Sequence, residues 1–163
     1  MADLLECLVQ IRALRETAGR LTSLVRAAPA ATWRARPEPD VWAPVEVLAH
    51  LADAELFFGV RLRLMLTEAR PALAPYDQGA LARRAGYLDW PVETAIARFA
   101  ARRAETLELL DGCSAAELDR TGLHARRGEI TVADLVATML AHDTAHVGQI
   151  RVRLGAAAAF REG

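Results

Sequence analysis

The chain contains no lysine; all 20 of its basic side chains are arginine. That excludes a Schiff base on a lysine amine, and any lysine acting as a general base. We read the bias as the mark of a GC-rich genome. Cysteine is nearly absent too. Cys7 and Cys113 lie far apart and match no metal or redox spacing, and Cys7 falls on an apolar helical face as a small core residue. Aromatic residues make up only 6% of the chain, and β-branched residues are scattered rather than clustered, which argues against a strand-rich fold. A net charge of −1 argues against a dedicated nucleic-acid binder, which would show a basic stripe. No run approaches the ~20 apolar residues of a membrane span. No signal pattern precedes the first helix, so the expected setting is the cytoplasm, without membrane contact.

What is present is helical. The 163 residues are 53% hydrophobic, much of it alanine, and fit one domain, 1–163, with an ordinary core. Asp3 and Glu6 form an N-terminal capping pattern, followed by Leu4, Leu8, Ile11, Leu14, Leu21 and Val25 at helical spacing. A second helix opens at "APVEVLAHL", with Pro44 suited to its first position, and runs to about Ala69 before Pro71. A third begins at "DWPVE" and carries Ile96, Phe99, Leu107 and Leu110 as far as Gly112. A fourth starts at Thr131, with Asp134 three residues on, and continues to about Leu154. "SAAEL" at Ser114 adds a short capped turn. The expected fold is all-α, a four-helix bundle.

The connections are unequal. "RPALAPYDQGALARRAGYLD" separates the second and third helices, whereas antiparallel neighbours need only about 2–8 residues. A crossover that long can traverse a ~30 Å bundle, so these two helices can run parallel. The expected order is up-down-down-up, with the second helix antiparallel to the fourth.

That order gives meaning to the histidines. Leu135, Met139, His142, His146 and Gln149 form one stripe of the fourth helix, and Val47, His50, Ala54, Phe57 and Leu64 the matching stripe of the second. His50 lies about 9 Å from the start of its helix and His146 about 12 Å from the end of its own. In antiparallel helices these depths coincide. Three imidazoles then meet, a set suited to Zn²⁺ or Ni²⁺ foremost, with Fe²⁺ also open, and with a coordination position left for water or substrate. His124, in "GLHARRGE", reads as an exposed loop residue.

The neighbouring polar residues leave alternatives open. Glu46 either complements the helix dipole or supports a ligand from behind. Asp53 either orients a ligand, acts as general base, or sits on a solvated face. Asp143 points about 100° from His142 and reads as a surface salt bridge. Gln149 is placed to bond an imidazole or a bound water. Trp33 and Trp42 read as core capping the bundle end, or one of them as a pocket wall.

"RPEPDVWAPVEVLAHLADAE" together with "HDTAHVGQI" resembles the DinB/YfiT-like superfamily of bacterial four-helix proteins. The resemblance spans nearly the whole chain and implies an up-down-down-up bundle, a tendency to form a homodimer, and a divalent metal ion at the positions matching His50, His142 and His146. Ala43 departs from the Ser or Thr usual at that N-cap, a loss of ~1 kcal/mol in helix capping that does not touch the ligands. Relatives of this kind include transferases and isomerases that use bacillithiol, mycothiol or another low-molecular-weight thiol. The expected function is therefore that of a metal-dependent transferase or hydrolase. It would use a thiol or activated water on a small electrophilic substrate. The alternative is a non-catalytic metal-binding protein of stress response or sensing.

Overall fold

The computed structural model describes residues 4–159. Four long helices form its frame: α1 (Leu4–Ala27), α2 (Pro44–Thr67), and two more separated from them by shorter elements. The crossover after α2 holds β1 (Ala72–Leu73), α3 (Gln78–Ala85) and a 3₁₀ turn at Tyr87–Asp89 before α4 (Val92–Asp111). Then come α5 (Ala115–Leu118), the hairpin β2 (Thr121–His124) and β3 (Gly128–Thr131), and finally α6 (Val132–Ala159).

Local chemistry sets most of these boundaries. Pro44 occupies the first turn of α2 and Pro91 stands just before α4, where a missing N–H is harmless. Ser114 and Glu117 cap α5 reciprocally, and Thr131 and Asp134 do the same at the start of α6. Asp3 lies outside the described residues. The C-terminal end of α2 is closed by Arg120, which donates to the Met65 and Glu68 carbonyls at 2.6 and 2.8 Å. α2 stops at Thr67, slightly before the expected Ala69, and α6 runs past Leu154.

Helix directions follow from which ends share a core. Cys7, Met65, Leu110 and Val132 pack at one end, and Leu21, Leu48, Val92 and Ile150 at the other. Thus α1 and α6 run one way and α2 and α4 the other: the bundle is up-down-down-up. Leu14 is fully buried at mid-height, and its truncation to alanine costs about 2–5 kcal/mol. The core stripes differ in detail from the expected ones. On α1, Leu4 and Leu8 are exposed and Cys7, Ile11 and Leu14 face inward. On α2, Phe58, Leu62 and Met65 take the core while Phe57 and Leu64 are half-buried.

The sheet is a small addition beyond the helices. β2 pairs antiparallel with β3, and β1 joins β2 in parallel, Ala72 facing Leu123. Gly122 lets this sheet lie on the bundle: a Cβ there would fall 3.0 Å from Met65 Cγ and 3.1 Å from Leu73. The sheet thereby fastens the crossover to the hairpin, and both become walls of the same cavity. Among the described residues no helix is long and apolar enough to cross a membrane.

Candidate metal centre

The first half of α2 is buried on every side, because α4, α6 and the crossover all cover it. His50 sits in this stretch, 1% exposed. Its Nε2 lies 3.1 Å from Nε2 of His142, and its ring centroid 4.8 Å from that of His146. The His142 and His146 rings are 4.3 Å apart, as two positions one helical turn apart allow. One nitrogen from each ring can be chosen so that all three lie within 4.8 Å of one another. The structure therefore brings the three predicted imidazoles together from two oppositely directed helices.

Their electrostatics suit a cation. Burial pushes the His50 imidazole down to about 4, helped by the nearby His146, while Asp53 pulls weakly upward. Burial likewise takes His142 down to about 3, with His146, His50 and Arg103 adding to the effect. His146 is also lowered, again chiefly by burial, partly offset by its bond to Gln149. All three are neutral at physiological pH, the form that donates a lone pair to a metal. Two nitrogens each about 2.0–2.1 Å from one ion stand roughly 2.9–3.4 Å apart at ordinary coordination angles. The 3.1 Å between His50 and His142 lies inside that range. Nδ1 of His50 and of His142 are buried without a hydrogen-bond partner, so the fit to a cation rests on the Nε2 pair rather than on these atoms. The donor set fits a divalent cation.

Gln149 Oε1 is 2.9 Å from His146 Nδ1, which places the proton on Nδ1 and leaves Nε2 as the free donor. Glu46 is engaged elsewhere. Its carboxylate accepts the Ala43 N–H at 2.8 Å and a two-pronged bond from Arg36, at 3.0 and 2.7 Å. It closes the helix end that Ala43 cannot cap and clamps the preceding loop, with no bond to an imidazole. Asp53 is not on a solvated face. It is buried, with Oδ2 accepting the Tyr87 hydroxyl at 2.7 Å and Oδ1 accepting Arg102 at 2.8 Å. Each carboxylate oxygen thus already holds one partner from outside the imidazole cluster. Burial, and then the bond to Asp53, raise the Tyr87 phenol well above its usual range, so it stays a donor.

Asp143 differs most from expectation. It is buried and bonded to Arg103, which also meets Glu55 at 2.7 Å and the Leu14 carbonyl at 3.1 Å. Arg103 sits between Phe99 and Leu107 on the inward stripe of α4, a position where its charge could have been noticed. Trp33 is core, whereas the Trp42 ring lies 5.4 Å from the His50 ring and forms part of the site wall. His124 is half-buried at the end of β2, not a loop residue. It and His142 line a cavity of about 770 Å³ between α2, the crossover and α6.

A four-helix bundle whose middle two long helices run parallel, carrying one inward histidine on α2 and an i, i+4 pair on α6, defines a class of bundle with a potential metal centre. The sequence pattern of the DinB superfamily matches residues 13–150, and the chain belongs to that superfamily. Two Oceanobacillus iheyensis proteins, both provisionally named metal-dependent hydrolases, are similar to it. One is 28% identical over 109 residues, covering 67% of this chain and 63% of its own length. The other is 30% identical over 113 residues, covering 69% and 65%. The match thus spans just under two thirds of these relatives. Among solved structures, YfiT from Bacillus subtilis, described as "a probable metal-dependent hydrolase with an unusual four-helix bundle topology", superposes with a TM-score of 0.84 at 21% identity, over 95% of this chain and 91% of that one. A mycothiol-dependent maleylpyruvate isomerase shares the fold with a TM-score of 0.74 at 9% identity, over 92% and 63%.

Proposed function

We propose that His50, His142 and His146 hold one divalent cation and that the protein is a metal-dependent hydrolase of a small molecule. The carrying observation is the meeting of three neutral imidazoles, one of which, His142, forms part of the wall of a cavity of about 770 Å³. A cation there supplies Lewis acidity and activates water near neutral pH. The protein's own part is to orient and to exclude. Gln149 fixes the His146 ring. Phe58, 5.5 Å from the His142 ring and edge-on to it, keeps the core side of that ligand dry. Trp42 does the same beside His50. Asp53 acts as a positioning residue: it ties Tyr87 and Arg102 to the back of α2 and so fixes the turn that carries His50.

The relatives named as hydrolases support water as the nucleophile. Transfer to a low-molecular-weight thiol is the second reading, favoured by the fold shared with the mycothiol-dependent isomerase. Zn²⁺ and Ni²⁺ suit the donor set first, and Fe²⁺ after them. Elemental analysis of untagged protein should find about one divalent metal per chain. Turnover of ester, amide and lactone panels with and without added thiols then separates the two chemistries. Metal-loaded protein without turnover in any panel, and with no exchangeable coordination position, would favour the metal-binding or sensing role instead. A homodimer and a cytoplasmic setting belong to the same proposal, and sedimentation of untagged protein tests the first.

A further inference from the structure

The cavity beside His142 has a distinct chemical character away from the imidazoles. One wall is flat and apolar: Phe57 and Tyr76 stack at 3.8 Å with their planes only 4° apart. The opposite character comes from Arg61 and Arg126, which line the same space with a single acid, Asp77. Asp77 is already committed, capping α3 through the Ala80 N–H at 2.9 Å. His124, also on the wall, is held neutral by burial and by the nearby Arg61, Arg127 and Arg126. Two arginines against one aspartate leave the lining one positive charge in excess.

Arg61 is the more buried of the two arginines. Like Arg153, and unlike the seven arginines that pair with a carboxylate, it has no carboxylate within salt-bridge distance among the described residues. Arg61 is half-buried, yet its one hydrogen bond among the described residues is to the Ala74 carbonyl at 2.9 Å. Its Nε is buried without any partner. Burial lowers its pKa, the sign of a guanidinium whose charge is poorly compensated by the protein. A half-desolvated cation that lines the cavity without a carboxylate partner, beside a stacked aromatic wall, is complementary to an anion with a flat body.

We propose that Arg61, assisted by Arg126, is the carboxylate anchor of the substrate pocket, and that the substrate is a small monocarboxylic acid derivative with a planar apolar body. One excess positive charge matches one carboxylate and would leave a dianionic phosphate ester half-neutralised. Placement agrees with this. Arg61 is one helical turn beyond Phe58, about 5 Å along α2, and the Phe58 ring stands edge-on to that of His142. A molecule of single-ring size anchored at Arg61 therefore extends along the Phe57–Tyr76 wall toward His142. The orientation toward a reacting centre rests on the metal reading, but the anchor itself does not.

The test uses metal-stripped, full-length protein and NMR titration with two probes, benzoate and benzamide, which share a ring and differ in charge. Stripping removes direct ligation of benzoate by a metal, so failure of the metal reading and failure of the anchor are seen separately. Benzoate is expected to bind wild-type protein at least ~10-fold more tightly than benzamide, as loss of one charge-assisted pair implies. Arg61→Gln should abolish that preference, Arg61→Lys should keep part of it, and Arg126→Gln should reduce it by a smaller factor. Equal binding of the two probes, including none of either, overturns the proposal. So does a benzoate preference that survives Arg61→Gln in folded protein. The wild-type ratio decides the matter even where a variant fails to fold.

Discussion

Two polar clusters, one half-buried and one fully buried, lie on either side of one peptide bond, and they are built on opposite principles. His142 faces α2 and joins His50 and His146, a cluster of neutral rings whose nitrogens are only partly satisfied by the protein. Asp143, its neighbour, faces α4 and joins Arg103 and Glu55, where opposite charges meet at 2.7 Å. Arg103 also donates to the Leu14 carbonyl, so this one side chain touches all four long helices. The ion cluster is matched internally, apart from Arg103 Nε and Glu55 Oε1. The imidazole cluster instead turns neutral nitrogens toward one another, His50 and His142 Nε2 standing 3.1 Å apart. Opposite charges facing each other are architecture; lone-pair donors facing each other suit a cation between them.

The contrast can be broken by experiment, and the largest effect belongs to the ion cluster. Arg103→Met leaves Glu55 and Asp143 buried without their counter-ion and should cost about 3–5 kcal/mol in denaturant unfolding. A loss below ~1 kcal/mol would show that the cluster is not the structural pin described here. Next in size is the share of the acid response that His50 contributes in the metal-free protein. The folded imidazoles of His50 and His142 titrate near 4 and 3, against about 6.5 when unfolded, so between these values the unfolded chain binds more protons. Stability is therefore complete above about pH 6.5 and declines as pH falls toward 4, by on the order of 3 kcal/mol for His50 alone. In His50→Leu that slope should become shallower; an unchanged slope contradicts the assignment.

Smaller again is the contribution of bound metal. Wild-type protein at a hundredfold excess of free metal over Kd should gain about 2.7 kcal/mol over the metal-free form. His146→Ala should lose both the gain and the stoichiometric metal, while its metal-free stability changes little. Retained metal in that variant would sink the three-histidine site. The smallest effect is expected for Gln149→Ala, which frees the His146 ring and should weaken metal binding about 10-fold. An affinity equal to wild type would demote Gln149 to a surface residue.

The difference between the clusters also explains what could be read in advance. The histidines were legible because spacing of three and four residues puts them on one stripe, and the long crossover fixes the helix directions that bring them level. Pro44, Pro91 and the Thr131–Asp134 pair announced their helix starts because capping is local chemistry. Arg103, Glu55 and Asp143 were not legible as a group, since pairing across 40 and 48 residues leaves no local pattern. Asp143 was expected in solvent because it points about 100° from His142. In a bundle, however, α6 has α1 on one flank and α2 on the other, and the buried arc is wide enough to include that direction. β1, two residues long, pairs with a strand from far along the chain, so no periodicity betrays it. His124 was misplaced for the same reason. Asp53 needed Tyr87, which belongs to a turn inside the crossover that the sequence pattern left blank.

A guanidinium that touches every rod of the bundle has a further effect on assembly. A pair of α2 and α4 alone gives Arg103 one carboxylate and strips part of its hydration; only docking of α1 and α6 supplies the rest. Partial assemblies are thus electrostatically penalised, and the complete set of four is favoured over any three. Melting should accordingly be all-or-none, with calorimetric and van't Hoff enthalpies in agreement.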